Sequence, residues 1–396
     1  MASRFLGIGR RHGWALAAGA AAVTASALAV NSSCASITLD DATAASLAKS
    51  LSAAVQADEA TTLQAASTES ILEELRLRLV PPKMNTAFVF AKPHANTPAV
   101  LEVIKSKFDE KGIMILKEGV VTGEEIDKKG FIDQHYYAIA EKSTLTSGKD
   151  LPVNADKFKG TFGEDWSKVV AEGRALNALE FKSKFAKQYG AEGALDKAWD
   201  ATNVAKKTRV KLGGGFYCGQ IEVDGVKYYT FNAFFMTMRG KFTAPGTSIH
   251  YYVVEFDPAK LSWADFRGEV LGPTDPKDAP AGALRGIIAA NWQTLGLKAP
   301  CNGGDNAVHA SASPFEGLAE RTNWLAGSVA SDPFGKELLA AGVSEATIKK
   351  WSSDPQVPYD AATAKETGKP KGSIFDALED LDYQACLDKC VAISGA

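Results

Sequence analysis

Residues 85–121 read NTAFVFAKPHANTPAVLEVIKSKFDEKGIMILKEGVV, and their pattern changes three times. Asn85–Ala91 is an apolar run bearing two phenylalanines, long enough for one buried strand and too short for a helix. Thr97 before Pro98 then supplies an N-cap and an N1 proline, and Val100, Leu101, Ile104 and Phe108 recur on one face until Gly112. That spacing predicts an amphipathic helix. Residues 113–121 give a second strand, and the spacing of Thr122 to Glu125 is that of a capping box opening a further short helix. Strand, helix, strand and helix in segments this short predict an α+β sandwich.

Downstream the pattern shifts. Residues 157–205 are charged and helical in period, whereas Phe216–Val223 and Val226–Phe231 flank Asp224-Gly225, a two-residue hairpin signal. Two more apolar runs, 231–242 and 249–256, bracket Ala244-Pro245-Gly246 and predict that the sheet continues as an antiparallel meander. The glycines at 213–215 lack a following Lys-Ser/Thr pair and precede a strand, so they read as a loop rather than a phosphate cradle. The tail has helical runs at 336–339 and Glu345–Trp351, a polar linker through Lys371, and an acidic helix over 374–390, which read as packing or partner elements.

Upstream, Arg4, Arg10, Arg11 and His12 precede the first acid, Asp40, and residues 14–30 are uncharged and Ala-rich. Residues 1–37 therefore read as a targeting segment that suits a mitochondrial transit peptide; a secretory signal, a plastid leader or a membrane anchor through 14–30 also fits. Residues 38–80, rich in Ser, Thr, Ala and Gln, read as a linker.

With 45% apolar and 23% charged residues among 396, the composition is that of a globular protein, and a net charge of −3 does not favour a nucleic-acid partner. Five scattered cysteines, Cys34, Cys218, Cys301, Cys386 and Cys390, do not make a disulfide framework. Cys386 and Cys390 share a helix face, as free thiols, a bridge or half of a metal pair.

Chemistry concentrates after residue 261. The turn-dense stretch from Leu271 through Pro280 and Gly282 leads to Leu284-Arg285-Gly286, where Arg285 is expected to project from a constrained loop suited to clamping phosphate oxygens. Asn306-Ala307-Val308-His309-Ala310-Ser311-Ala312-Ser313 then runs into Pro314-Phe315-Glu316, a helix start with Ser at the N-cap, Pro at N1 and Glu at N3. Glu320 falls about two turns later, on a side able to face His309.

This combination resembles the nucleoside diphosphate kinase family. The family's Asn-x-x-His-Gly-Ser-Asp-Ser motif is matched by Asn306, His309, Ser311 and Ser313, with Ala310 and Ala312 in place of Gly and Asp. Its Leu-Gly-x-Thr-Asn-Pro and Pro-Gly-Thr-Ile-Arg-Gly segments are echoed by Leu271, Gly272, Thr274, Asp275, Pro276, Gly282, Leu284, Arg285 and Gly286. Lys92-Pro93-His94 echoes a first-strand Lys-Pro-Asp, His135-Tyr136 a His-Tyr pair, and Glu320 and Trp324 the Glu and Trp after the histidine. Counting back from Thr274 puts Gly268 where the family has an arginine, with Arg267 one place off, and Asp305 stands where an Arg often precedes the Asn.

The resemblance implies a ferredoxin-like βαββαβ core over residues 81–326, with an inserted helix-plus-antiparallel-hairpin block at about 138–248, a second insertion at about 287–305, and a helical C-terminal extension at 327–396. It implies ping-pong transfer of the terminal phosphate of a Mg2+-bound nucleoside triphosphate such as ATP through His309 to a nucleoside diphosphate. His309, Glu320 and Lys92 would be catalytic; Lys92, Tyr136, Arg267, Thr274, Arg285, Asn306 and Ser311 would bind nucleotide, with no protein-borne metal site. The implied assembly is a homo-oligomer or an organellar complex. The insertions and tail also suit a second reading, a catalytically weak or inactive nucleotide-binding or structural subunit of such a complex. Taken singly, Lys92 reads equally as a strand end, Tyr136 as core, Thr274 as a turn and Glu320 as a solvated helix residue.

Overall fold

The computed structural model of the chain describes residues 83–395, apart from residues 192 and 214. The leader expected over 1–37, its run at 14–30, the linker at 38–80 and Cys34 lie outside those residues. Among the described residues no helix is long and apolar enough to cross a membrane.

The opening stretch folds as its pattern dictates, into strand β1 (Asn85–Ala91), helix α1 (Pro98–Lys111) and strand β2 (Met114–Thr122). The Thr97 hydroxyl accepts from the Val100 N–H at 3.2 Å, satisfying one of the orphan donors of α1, and Gly112 closes the helix at φ 66°, a left-handed conformation that costs glycine little. Thr122 caps α2 (Gly123–Lys129) in the same way, while the Glu125 carboxylate pairs with Lys129 instead of completing the box. Helix α3 (Phe131–His135) follows.

After a helical stretch the chain forms β3 (Ala175–Asn177), β4 (Arg209–Gly213), β5 (Phe216–Val223) and β6 (Val226–Phe231). The Asp224-Gly225 hairpin forms as expected, with Val223 opposite Val226, and Gly213 faces Phe216 at the other turn. β3 pairs with β6 in parallel, which makes this a mixed sheet of order β3-β6-β5-β4. The expected continuation as a meander is wrong. Residues 231–242 turn out of the sheet at Asn232, φ 44°, into helix α4 (Phe235–Thr243), whose buried Phe235, Met236, Arg239 and Phe242 follow a helical period. The next strand, β7 (Ser248–Phe256), joins a different sheet.

That second sheet has the order β2-β7-β1-β8, where β8 is Val308–Ala310, and every neighbouring pair is antiparallel. All seven residues of β1 are buried because both faces are covered. Ala87, Val89 and Ala91 face a cluster with Val100, Ile104 and Phe108 of α1, whereas Phe88 and Phe90 face Tyr251, Val253, Ile132, Phe242 and Trp324. This period of two sorts the strand's side chains, and each fully buried Phe contributes about 2–3 kcal/mol. β2 lies at the edge, with a bulge between Ile115 and Lys117.

The chain from β7 passes through a π turn at Phe266–Leu271 and helix α5 (Leu284–Ala290) before β8, and helix α6 (Pro314–Leu325) follows. The expectation that Arg285 projects from a loop is corrected: it sits on the first turn of α5 and is buried. His309 lies within β8, opposite Phe90. The C-terminal extension packs Phe334, Leu338, Ile348, Trp351, Ile374 and Cys386 into one cluster with Phe315 and Leu318 of α6. It contains a two-stranded ribbon, β9 (Gln356–Pro358) with β10 (Lys371–Ser373), where a polar linker was expected. The acidic helix expected over 374–390 breaks into Ile374–Leu378 and Tyr383–Ser394, because Asp380 turns left-handed at φ 60° and donates its N–H to Ala312 O. Cys218, Cys301, Cys386 and Cys390 are free thiols.

Candidate active site

β8 is only three residues long, and its position is fixed from both ends. The Lys92 N–H donates to Ala307 O at 2.8 Å and the Ser311 N–H to Phe88 O at 3.0 Å, which holds His309 against the end of β1. Ala307 adopts φ 68°, a conformation that costs a non-glycine residue on the order of 1 kcal/mol or more, and its N–H donates to His94 Nε2 at 3.2 Å. The strained residue stands between Asn306 and His309.

His309 stacks on Phe90, with centroids 4.7 Å apart, and its Nε2 lies 2.6 Å from Glu320 Oε1. Glu320 is buried, so the solvated-helix reading of that residue fails. Its other oxygen accepts from Ser311 Oγ at 2.6 Å, and Ser311 in turn accepts from the Phe88 N–H at 2.9 Å. Ser311, expected among ligand-binding residues, is fully buried and spends its hydroxyl orienting Glu320. Ala310, in place of the motif's Gly, puts its methyl into the apolar cluster under α1.

Burial, reinforced by the charges of Lys92, Arg285 and Arg267, holds the His309 imidazolium form well below the usual histidine range. The ring is therefore neutral at pH 7. With the Nε2 proton donated to Glu320, the lone pair resides on Nδ1, the nitrogen that can attack an electrophile. Burial pushes the Glu320 and Glu316 carboxyls up, and for Glu320 the His135 ring, the Ser311 hydroxyl and Arg321 oppose that rise.

A cleft of about 230 Å3 is lined by Lys92, His94, Tyr136, Phe234, Lys241 and Asp305, among others. Lys92 is brought down to about 8 by burial and by Arg285, with Asp305 opposing, and its Nζ donates to Gly304 O at 3.2 Å. Burial also raises the Tyr136 hydroxyl to about 12, so it stays protonated and can donate. Asn306 Nδ2 donates to the backbone oxygen of Thr274 at 3.0 Å, yet its buried Oδ1 has no partner. An orphaned acceptor in a buried amide costs about 1–3 kcal/mol, the kind of defect that a ligand's hydroxyl or ammonium group repairs.

Two expected residues are directed elsewhere. Arg285 Nη1 donates to Gly272 O at 2.8 Å and its Nη2 and Nε to Val308 O, so the guanidinium pins β8, and burial brings it down to about 10. Its remaining N–H groups are the ones left for an anion. Arg267 pairs with Glu379 Oε1 at 2.6 Å and Asp380 Oδ1 at 2.7 Å of the C-terminal extension. Arg267 sits on the π turn. Thr274 is exposed on its turn.

Sequence reasoning missed Phe234, a partly exposed aromatic at the mouth of the cleft just before α4. Nothing in the run around it distinguishes an outward phenylalanine from its buried neighbour Phe235. It also missed the bond network in which Asp305 binds Lys241 at 2.7 Å and approaches His94 at 3.9 Å.

No family model matches the chain, and no curated protein does. Among solved structures, an NDP kinase from Pyrobaculum aerophilum is similar at 16% identity over 61% of this chain and 96% of that one, with a TM-score of 0.28.

Proposed function

We propose that the chain is a nucleoside diphosphate kinase-like phosphotransferase, built on a ferredoxin-like core formed by β2-β7-β1-β8, with His309 as its nucleophile. The observation that carries this reading is the 2.6 Å bond from His309 Nε2 to a buried Glu320, which leaves the Nδ1 lone pair on a ring acted on by the Lys92 and Arg285 cations.

In the first half-reaction the Nδ1 lone pair attacks the terminal phosphorus of a nucleoside triphosphate. The bond from that phosphorus to the bridging oxygen breaks, and the nucleoside diphosphate leaves with the electron pair. No proton moves: Nε2 keeps its hydrogen, the phosphorylated ring becomes cationic, and Glu320 stabilises it across the existing bond. A second nucleoside diphosphate reverses the step and collects the phosphate. Lys92 stabilises charge on the transferring group, with the free N–H groups of Arg285 assisting, and Asn306 Oδ1 accepts from a ribose hydroxyl. Tyr136 lines the same cleft as Lys92, and Phe234 offers a face for the base. The one carboxylate of the cleft, Asp305, is committed to Lys241, so Mg2+ arrives as part of the nucleotide substrate. The mitochondrial address of residues 1–37 and assembly into a homo-oligomer or organellar complex belong to the same proposal.

The test incubates the full chain with Mg2+ and terminally labelled ATP, then chases with GDP. Acid-labile phosphate on His309 that is discharged by GDP is expected; its absence at saturating nucleotide overturns the reading. A second reading, a nucleotide-binding subunit with little turnover, is favoured by one observation: Arg267 is held by Glu379 and Asp380 instead of facing the cleft. Saturable nucleotide binding without label on His309 would select it.

A further inference from the structure

We infer that His135, His309 and Glu320 form a binding site for a borderline-soft divalent cation of the Zn2+ class, and that this cation switches the His309 nucleophile off. The second half rests on the phosphohistidine reading above; the first half does not.

The Trp324 indole N–H donates to His135 Nδ1 at 3.4 Å, so that nitrogen carries a lone pair and the ring's hydrogen sits on Nε2. The same Nδ1 lies 3.3 Å from Glu320 Oε1, which also meets His309 Nε2. A cation seated among these atoms takes the single Nδ1 lone pair in place of the Trp324 N–H and meets the Glu320 carboxylate opposite. The three ligand atoms come from α3, β8 and α6 and lie within 4.8 Å of one another. Two imidazoles and a carboxylate are a zinc ligand set with an open fourth position. On a tetrahedral ion, ligand atoms stand roughly 3.3 Å apart, so the His309–Glu320 contact of 2.6 Å must widen and any pair nearer the 4.8 Å limit must close.

A second observation gives the ion a way in. A cavity of about 210 Å3 reaches His135 and Glu320 from the side of the C-terminal extension, between Gln134 and Asn323 on one wall and Ser352 and Phe375 on the other. It is separate from the cleft that holds Lys92, and it has room for a water as fourth ligand. Mg2+ prefers hard oxygen ligands and keeps its waters, so the ion carried by a nucleotide does not compete for two imidazole nitrogens.

The consequence for His309 follows from its tautomers. A neutral imidazole has one hydrogen. When the cation takes Nε2, that hydrogen leaves to solvent and Nδ1 acquires one, so the ring stays neutral and the attacking lone pair is gone. Glu320 is drawn onto the metal at the same time.

The experiment titrates the full chain with Co2+ as a spectroscopic probe, without nucleotide, and competes it with Zn2+. Visible d–d bands of four-coordinate intensity, without the near-ultraviolet absorption of a cysteine thiolate, are expected, and Zn2+ should abolish them. In His135→Asn, with folding checked by circular dichroism, affinity should fall at least about a hundredfold, beyond what loss of an outer-shell partner costs. No visible band, or a band that survives His135→Asn, overturns the site. Labelling of His309 from ATP is then read with and without Zn2+: metal binding that leaves labelling intact overturns the switch. A chain that binds Co2+ but never labels fails the kinase reading alone.

Discussion

The described residues form two four-stranded sheets of similar size, and they treat their charged groups in opposite ways. In the mixed sheet, the buried Arg174 is matched by Glu164 and Glu172 and by the Lys227 carbonyl, and Tyr229 donates its hydroxyl to Glu164 at 2.8 Å. Those ion pairs hold the Glu164 carboxyl below its usual range and Arg174 above its own, so each group is stabilised in its charged form. In the antiparallel sheet, burial drives His309 down and Glu320 and Glu316 up, Lys92 is brought down to about 8, and Asn306 Oδ1 has no partner. The first sheet pairs these charged groups internally, although Thr230 Oγ1 on β6 is buried without a partner. The second holds groups in disfavoured states that a ligand would relieve, and unresolved groups of that kind mark sites more specifically than fold does.

The largest expected effect isolates this contrast at its centre. His309→Gln keeps the side chain's size and a hydrogen-bonding group but removes the Nδ1 lone pair, so phosphate label should fall to background while urea unfolding shows a folded protein. If a label persisted, the nucleophile would lie elsewhere and the comparison would have pointed at the wrong groups. Glu320→Gln should come next, with labelling slowed roughly 10²-fold, the order expected when an orienting bond is lost and the reacting atom is misplaced. Its neutral amide still offers an acceptor to His309, so the protein should fold.

The third prediction concerns pH. Lys92 is needed as a cation and its folded value is about 8, so its charge is lost as pH rises through that value. The labelling rate should therefore fall on the alkaline side of about pH 8, and Lys92→Arg should move that limb beyond the measurable range. On the acid side, His309 itself stays unprotonated well below the ordinary imidazole value, so the acid limb should follow protonation of the Glu320 carboxylate, which burial raises. An acid limb unchanged in Glu320→Gln would show that the buried environment assigned to His309 is wrong.

Much of this was legible in the sequence wherever the signal is local. The Thr97-Pro98 start, the Gly112 stop, the Asp224-Gly225 turn and the Ser313-Pro314 start each depend on residues within four positions, and each appears where expected. The failures have a common cause in contacts made at long range. Residues 231–242 are apolar enough for either a strand or a helix, and the choice of helix follows from Asn232 turning the chain, where its amide bonds to the Ile139 and Gly215 carbonyls. β8 has too few residues to show a period, and it exists because β1 and Arg285 hold it. Ser311 and Arg285 match sequence motifs, yet their hydrogen bonds to Glu320, Phe88, Val308 and Gly272 could not be read from spacing.

The smallest expected effect lies in the mixed sheet and tests whether it is in fact passive. Tyr229→Phe removes the hydroxyl that donates to Glu164 and leaves the aromatic ring packed against Phe158 and Phe162. Glu164 keeps Arg174, so no buried charge is orphaned, and the loss should be only about 1–2 kcal/mol in urea unfolding, the net worth of one hydrogen bond to a charged acceptor. Because the charged carboxylate loses a donor, the Glu164 value should rise toward normal. The stability lost on acidification through the Glu164 range, present above its unfolded value and lost below its folded one, should then be smaller than in the parent chain. Labelling of His309 should be unchanged, since none of these groups reaches the cleft. A fall in labelling together with stability would mean that the mixed sheet positions α4, and with it Phe234 and Lys241, so that the inserted block acts as a support for the cleft.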